Sequence, residues 1–264
     1  MFAALLVPAI LACATTFTRA GETTIGVTLN GTIGTHSEAV GGSATLPLIP
    51  VPIFRIEHRE GRFSLFLEGL PPIGPIGYVN PAPGTASGTK IGMLDGALRY
   101  ALPSRRAWIG MGETVINQTT TYAPILASFP AGSYTVNLVA DGVDASRVVG
   151  ARYEIGANLL TRGSQRLDLS VAASPSMHAR LAQTGTVSSS SDEPGFVPRT
   201  TIRFTTTAET ASLVDAHAGW SVIRGRSTFS AGLRYLNYAA KFDDGTEADR
   251  NRVLLPFVGW STKL

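Results

Sequence analysis

A closed, antiparallel, up-and-down transmembrane β-barrel of ten strands is the fold this sequence predicts. Three observations carry that expectation. The chain of 264 residues holds only 16% charged residues but 28 Gly, with long Ser- and Thr-rich stretches, a composition unlike that of a soluble helical protein. Apolar and polar residues alternate with period two over runs of ten or more positions, the signature of strands with one apolar and one polar face. Short and long connections follow one another in strict alternation, so in a meander all short turns fall at one rim and all long loops at the other.

The N-terminal segment MFAALLVPAILACATTFTRA has an apolar run from Phe2 to Cys13 followed by small residues, and residues 1–20 read as a secretory signal peptide. Cys13, the single cysteine, lies within it, so the mature chain, residues 21–264, is expected to hold no disulfide. Strands are expected at 23–33, 50–59, 62–70, 90–102, 106–117, 147–160, 165–181, 208–223, 226–240 and 251–262. In 147–160 the outward set is Val149, Ala151, Tyr153, Ile155, Ala157 and Leu159, opposed by Arg152, Glu154 and Asn158. In 165–181 Leu167, Leu169, Val171, Ala173 and Met177 oppose Arg166, Asp168, Ser170, Ser174, His178 and Arg180. Between 213 and 223 Val214, Ala216, Ala218, Trp220 and Val222 oppose Asp215, His217 and Ser221, and in 226–240 Phe229, Ala231, Leu233 and Tyr235 oppose Thr228, Ser230, Arg234 and Tyr238.

Four short basic turns, HREGRF, PSRRAW, TRGSQRL and IRGRSTF, separate these strands in pairs. The long connections are 34–49, 71–89, 118–146, 182–207 and 241–250. Strands of roughly nine to eleven tilted residues suffice to cross a hydrocarbon core, and closure removes the unpaired edge that lipid does not tolerate. Phe63, Trp108 and Phe229 stand beside short turns, where an interfacial aromatic girdle belongs, with Trp220 and Trp260 as further members. A soluble sandwich or barrel shows the same alternation with the faces exchanged, so the length of the strands and the sorting of the loops are what favour the membrane version.

The mature chain resembles the Gram-negative outer-membrane β-barrels as a broad class. Its end, PFVGWSTKL, is similar to their C-terminal assembly signal in Gly259 and the terminal Leu264, while Thr262 stands where an aromatic is usual. The resemblance implies an outer-membrane location with both termini periplasmic, contact with outer-membrane lipid, and insertion by the barrel assembly machinery. The formal charge of +3 is spread among the turns, which gives nucleic-acid binding no support.

Function must then come from the polar face. Counted from the short turns, Arg55, Glu68, Asp95, Glu113, Arg152, Glu154, Asp215, His217 and Arg234 fall near one height, about mid-membrane. Ten strands enclose far less than the roughly 16 to 18 that leave an aqueous channel, so these charges are expected to pair and fill the lumen, Asp215 with Arg234 first. The expected function is a structural or binding barrel without a cofactor; an outer-membrane enzyme or a narrow gated pore is the alternative.

Asp215-Ala216-His217 resembles the Asp-x-His pair of the omptin proteases, but no Asp-x-Asp partner exists in this chain. Ser176 and His178 are candidates for a hydrolase of outer-leaflet lipid, if Pro175 turns them towards lipid; otherwise they face the lumen. Asp243, Asp244, Glu247 and Asp249 form an acidic loop whose spacing is not that of an EF-hand. The loop 118–146, with Tyr122, Leu126, Phe129, Tyr134 and Val136, is too apolar for a bare tip and is expected to form an external hairpin or helix that presents a contact surface to an unidentified ligand. The segment 182–207 is expected to be mobile.

Overall fold

The computed structural model describes residues 21–264 except 39–41, 47–49, 78–82, 85, 105, 132, 192, 194–200, 207–209, 242–244 and 246. The signal segment therefore lies outside the described residues. The strands in chain order are β1 (Glu22–Gly31), β2 (Ile33–Glu38), β3 (Gly42–Leu46), β4 (Pro50–Glu60), β5 (Phe63–Gly77), β6 (Ala86–Ala101), β7 (Ala107–Tyr122), β8 (Ile125–Ala131), β9 (Tyr134–Arg162), β10 (Gln165–Ser191), β11 (Thr201–Thr206), β12 (Thr210–Arg224), β13 (Ser227–Lys241) and β14 (Glu247–Lys263).

Ten of them form the wall, in the order β1, β4, β5, β6, β7, β9, β10, β12, β13, β14, and β14 pairs back to β1 to close it. Closure runs from Thr24 opposite Lys263 to Asn30 opposite Phe257. Every pairing in the wall is antiparallel. The remaining strands sit on the outer extensions of the wall: β2 with β3 beside β14, β8 beside β9, and β11 beside β10.

Three of the four short connections are two-residue turns in which Gly61, Gly163 and Gly225 take φ near +60°. An L side chain is strained there, and glycine lets the turn follow the right-handed twist of the strands it joins. The fourth, 102–106, is longer and contains Pro103.

The distribution of side chains decides between the membrane and the soluble version of the fold. Leu29, Phe54, Met111, Tyr153, Ile155, Leu233 and Val258 are all exposed, whereas Asp95, Thr114, Arg152, Glu154, Asp215 and Arg234 are buried. A soluble barrel would place these groups the other way round, because apolar surface in water is unfavourable by about 25 cal/mol per Å² and a buried charge more so. The apolar exterior matches a hydrocarbon solvent, and the fold is a transmembrane barrel.

Three expectations are corrected in detail and a fourth is narrowed. Trp108 points inward: its ring packs over Gly156 and leaves no room there for a Cβ, so the girdle consists of Phe63, Trp220, Phe229 and Trp260, all exposed. The register of β10 shifts between Ser174 and Met177, at Pro175, so Met177 is buried in the lumen while Ser176, His178 and Arg180 are exposed on the outside. Of the hairpin or helix expected in 118–146, the hairpin forms, from β8 and the start of β9. In 182–207, residues up to Ser191 continue β10 and Thr201–Thr206 form β11.

Candidate functional site

Inward side chains arrange the lumen in three storeys. The middle one is an ion-pair layer built by four arginines and five acids from six strands. Arg234 on β13 donates to Asp215 on β12 through Nε and Nη2, both at 2.9 Å, and also reaches Glu68 on β5 through Nη1 and Asp95 on β6 at 3.5 Å. Arg152 on β9 donates to Asp215 at 2.9 Å and to Asp95 at 3.4 Å. Asp95 also accepts a bond from the Thr114 hydroxyl at 2.6 Å. Glu154 is bound by Arg99 and lies 3.6 Å from Arg152 Nε, while Arg55 is 4.0 Å from Glu68 and 2.7 Å from Glu57.

The layer forms because alternation sends these residues inward and the tilt of the strands brings them to one height. The ladder row that leaves β14 at Ser261 passes through Gly26, Arg55, Glu68, Asp95, Thr114, Gly150, Met177, Ala211 and Ala240, and returns to β14 at Asp249. A row therefore climbs as it circles the wall, so Arg152 meets Asp95 although they stand in different rows. Buried charges persist only when paired and hydrogen-bonded, and this layer satisfies each acid at least once.

Above the layer, towards the long-loop rim, lies an apolar cluster bordered by the buried, hydrogen-bonded Thr89, Gln118 and Thr120. Met93, Ile116, Val148, Met177, Ala179, Ala211, Leu213, Tyr238 and Ala240 form one cluster, against which Leu70, Ile91 and Leu236 pack. Below it, a cavity of about 490 Å³ reaches the short-turn rim, its walls including Glu57, Arg59, Arg166, Asp168, Ser221 and Lys263. Phe66, only 2% exposed, separates the arginines at its roof, with the Arg99 guanidinium 3.8 Å and that of Arg55 5.1 Å from the ring centroid.

Of the nine residues expected in the charged layer, Arg55, Glu68, Asp95, Arg152, Glu154, Asp215 and Arg234 are joined in this network. His217 faces the cavity instead, stacked on Phe257 with centroids 4.9 Å apart. Glu113 faces outward: it is opposite Gly96 and Ala151, in the same strand phase as the exposed Ile109 and Met111. The alternation Ile109, Met111, Glu113, Val115 already contained that signal. Arg99, Glu57 and Thr114 belong to the network although the sequence did not single them out; Arg99 shares the phase of Asp95 and Glu57 that of Arg55, so their facing was legible, but both stand closer to the short turns than the other charges.

The arrangement does not form an Asp–His pair. Both Asp215 oxygens are taken by Arg152 and Arg234, and His217 makes no ion pair among the described residues. Ser176 and His178 share the outer face of β10, and no hydrogen bond joins them. Asp243 and Asp244 lie outside the described residues, as do the side chains of Glu247 and Asp249; among the described residues no cluster of three metal-ligating side chains occurs.

No family model and no curated protein sequence matches the chain. Among solved structures, the outer membrane protease OmpT from Escherichia coli aligns with 92% of this chain and 97% of its own, at TM-score 0.56 and 9% identity. Neisserial surface protein A aligns with 93% of this chain and 100% of its own, at 0.36 and 11%, and the translocator domain of the autotransporter NalP from Neisseria meningitidis with 98% and 95%, at 0.40 and 11%. With its closed antiparallel wall and the match to OmpT, the chain has the fold of the outer-membrane β-barrel class. At 9% identity the likeness to OmpT extends to the fold and not to an activity.

Proposed function

We propose that the protein is a sealed outer-membrane barrel that anchors an extramembrane β-ribbon, the ribbon being its binding surface. The observation that carries this reading is the double closure of the lumen. An ion-pair layer and an apolar cluster lie one above the other across the lumen, and this stacking supports a lumen without a continuous column of water.

The wall is far taller on one side than a membrane requires. β9 has 29 residues and β10 has 27, against roughly nine to eleven for a crossing. Their outer parts, with β8, expose Ile125, Leu126 at 71%, Phe129 and Val143. Apolar groups exposed on a paired ribbon outside the membrane suit a protein contact better than a solvated tip. The short turns and both termini lie on the periplasmic side in this reading, with the C-terminal strand inserted by the assembly machinery. Outer-membrane lipid surrounds the apolar wall.

Cysteine labelling tests the arrangement. With an impermeant thiol reagent on intact cells, cysteines at Gly84, Ala131 and Gly245 are labelled, whereas those at Gly61, Ser104 and Gly225 react only after the outer membrane is opened. Labelling of both sets on intact cells, or recovery of the protein as a soluble periplasmic species, would sink the reading. Wild-type protein in planar bilayers gives no steady current; a stable open conductance would replace the sealed barrel by a pore.

A further inference from the structure

Outside the barrel, five cations from five strands stand at one height. Lys90 on β6, Arg147 on β9, Arg180 on β10, Lys241 on β13 and Arg252 on β14 are all exposed and in the outward phase, since Thr89, Val148, Ala179, Ala240 and Leu255 are buried inward. A strand rise of ~3.3 Å and a tilt of ~40° give about 2.5 Å of height per residue. Following the climbing ladder rows, these five lie about 20 to 30 Å above the girdle of Phe63, Trp220, Phe229 and Trp260, where a hydrophobic band ~25 Å tall ends. Their sequence positions share no spacing that would produce this; only the stagger of the wall brings them level.

Two of them form a pair. Arg147 and Arg180 are directly opposite each other across β9 and β10, and Asn117 on β7 continues the same row beside Arg147. All three side chains are exposed, and neither arginine forms an ion pair among the described residues. Like charges directly opposite in a sheet repel at a Cβ separation of ~5 Å, so the pair is unfavourable unless an anion bridges it. Guanidinium groups at that separation can converge on one tetrahedral oxyanion through parallel N–H donors. No carboxylate whose side chain is described faces outward at this height to serve instead.

We propose that Arg147, Arg180 and Asn117 form a clamp for the phosphate of a phosphorylated outer-leaflet glycolipid, with Lys90, Lys241 and Arg252 completing a basic belt around the barrel. The proposal rests on the membrane reading above and adds the headgroup chemistry. Height favours a lipid over a soluble anion: the clamp sits directly above the apolar wall, where Tyr153, Ile155, Leu169 and Val171 on the same two strands offer a surface for the acyl chains of the molecule whose phosphate it holds. Guanidinium groups reaching the interface from such a wall gain from the anionic surface while their stems stay on apolar ground.

The test uses purified full-length barrel in an uncharged detergent, titrated with lipopolysaccharide and followed by native mass spectrometry. Wild-type protein retains the glycolipid, and Arg147→Gln/Arg180→Gln binds it about tenfold or more weakly. Phosphatase-treated glycolipid binds wild type as weakly as the variant binds the intact form. Arg224→Gln/Arg226→Gln, at the opposite rim, binds as wild type. Equal binding by the clamp variant, or of the dephosphorylated glycolipid, overturns the proposal. Displacement of the glycolipid by millimolar inorganic phosphate overturns the lipid assignment in favour of a free anion. Flotation of the same samples with phosphatidylcholine vesicles reads membrane insertion separately, so a chain that does not insert defeats the membrane reading and not the clamp alone.

Discussion

The middle and upper storeys of the lumen close the same tube by opposite means. In the middle, Arg152 and Arg234 hold Asp95, Asp215 and Glu68 in an ion-pair layer; a few residues higher on the same strands, Val148, Met177 and Leu213 pack as hydrocarbon. The ionic storey is directional and fails when one member is lost, because the partner left behind is a buried charge. The apolar storey is additive and loses only the contacts that are removed. The barrel therefore combines a layer that specifies which strands stand opposite with a layer that simply excludes water.

The largest expected effect breaks the ionic storey. Arg234→Ala leaves Asp215, Glu68 and Asp95 with too little positive charge, and breaking a buried pair in this way is destabilising by about 3 to 5 kcal/mol. The heat-resistant compact form of the barrel on a gel should be lost at a clearly lower temperature. Because Arg234 serves three carboxylates, Asp215→Asn added to Arg234→Met restores only part of the loss. Full recovery by that double change would mean that Asp215 is the one partner that matters.

In the apolar storey, Met177→Ala removes a fully buried side chain and is expected to destabilise by about 2 to 4 kcal/mol, read from the midpoint of urea unfolding in vesicles. The two storeys also differ in sealing. Arg234→Ala and Leu213→Gly each leave planar bilayers silent, since the other storey still blocks the lumen, while the two together open a conductance. Current from either single variant would show that only one storey seals.

Thr114→Val tests the hydrogen bond that joins the wall to the ionic layer. The lost bond to the Asp95 carboxylate is expected to lower stability by about 1.5 kcal/mol, in the range for hydrogen bonds to charged groups, with the same unfolding assay. The smallest effect comes from outside the lumen. Glu113→Leu removes a carboxylate that faces hydrocarbon without a partner among the described residues and should raise stability by about 1 kcal/mol. A fall in stability would show that Glu113 is engaged by a neighbour in the membrane.

What the sequence determined by itself is the wall. Period-two alternation placed the ten strands, the Gly-bearing two-residue turns joined them, and the sorting of loops by length gave the up-and-down order, because each of these signals is local to a few residues. Most inward charges were legible for the same reason: a residue and its second neighbour share a face. Tertiary structure decided what local period cannot carry. Glu68 and Arg234 meet across 166 positions only because the closed wall is staggered. Ser176 and His178 left the lumen because a shift in register at Pro175 reversed the phase of β10, bringing Met177 inward to help build the apolar storey. The level belt of Lys90, Arg147, Arg180, Lys241 and Arg252 has the same origin: strand tilt and stagger convert unrelated sequence positions into one height, and only the closed barrel fixes both.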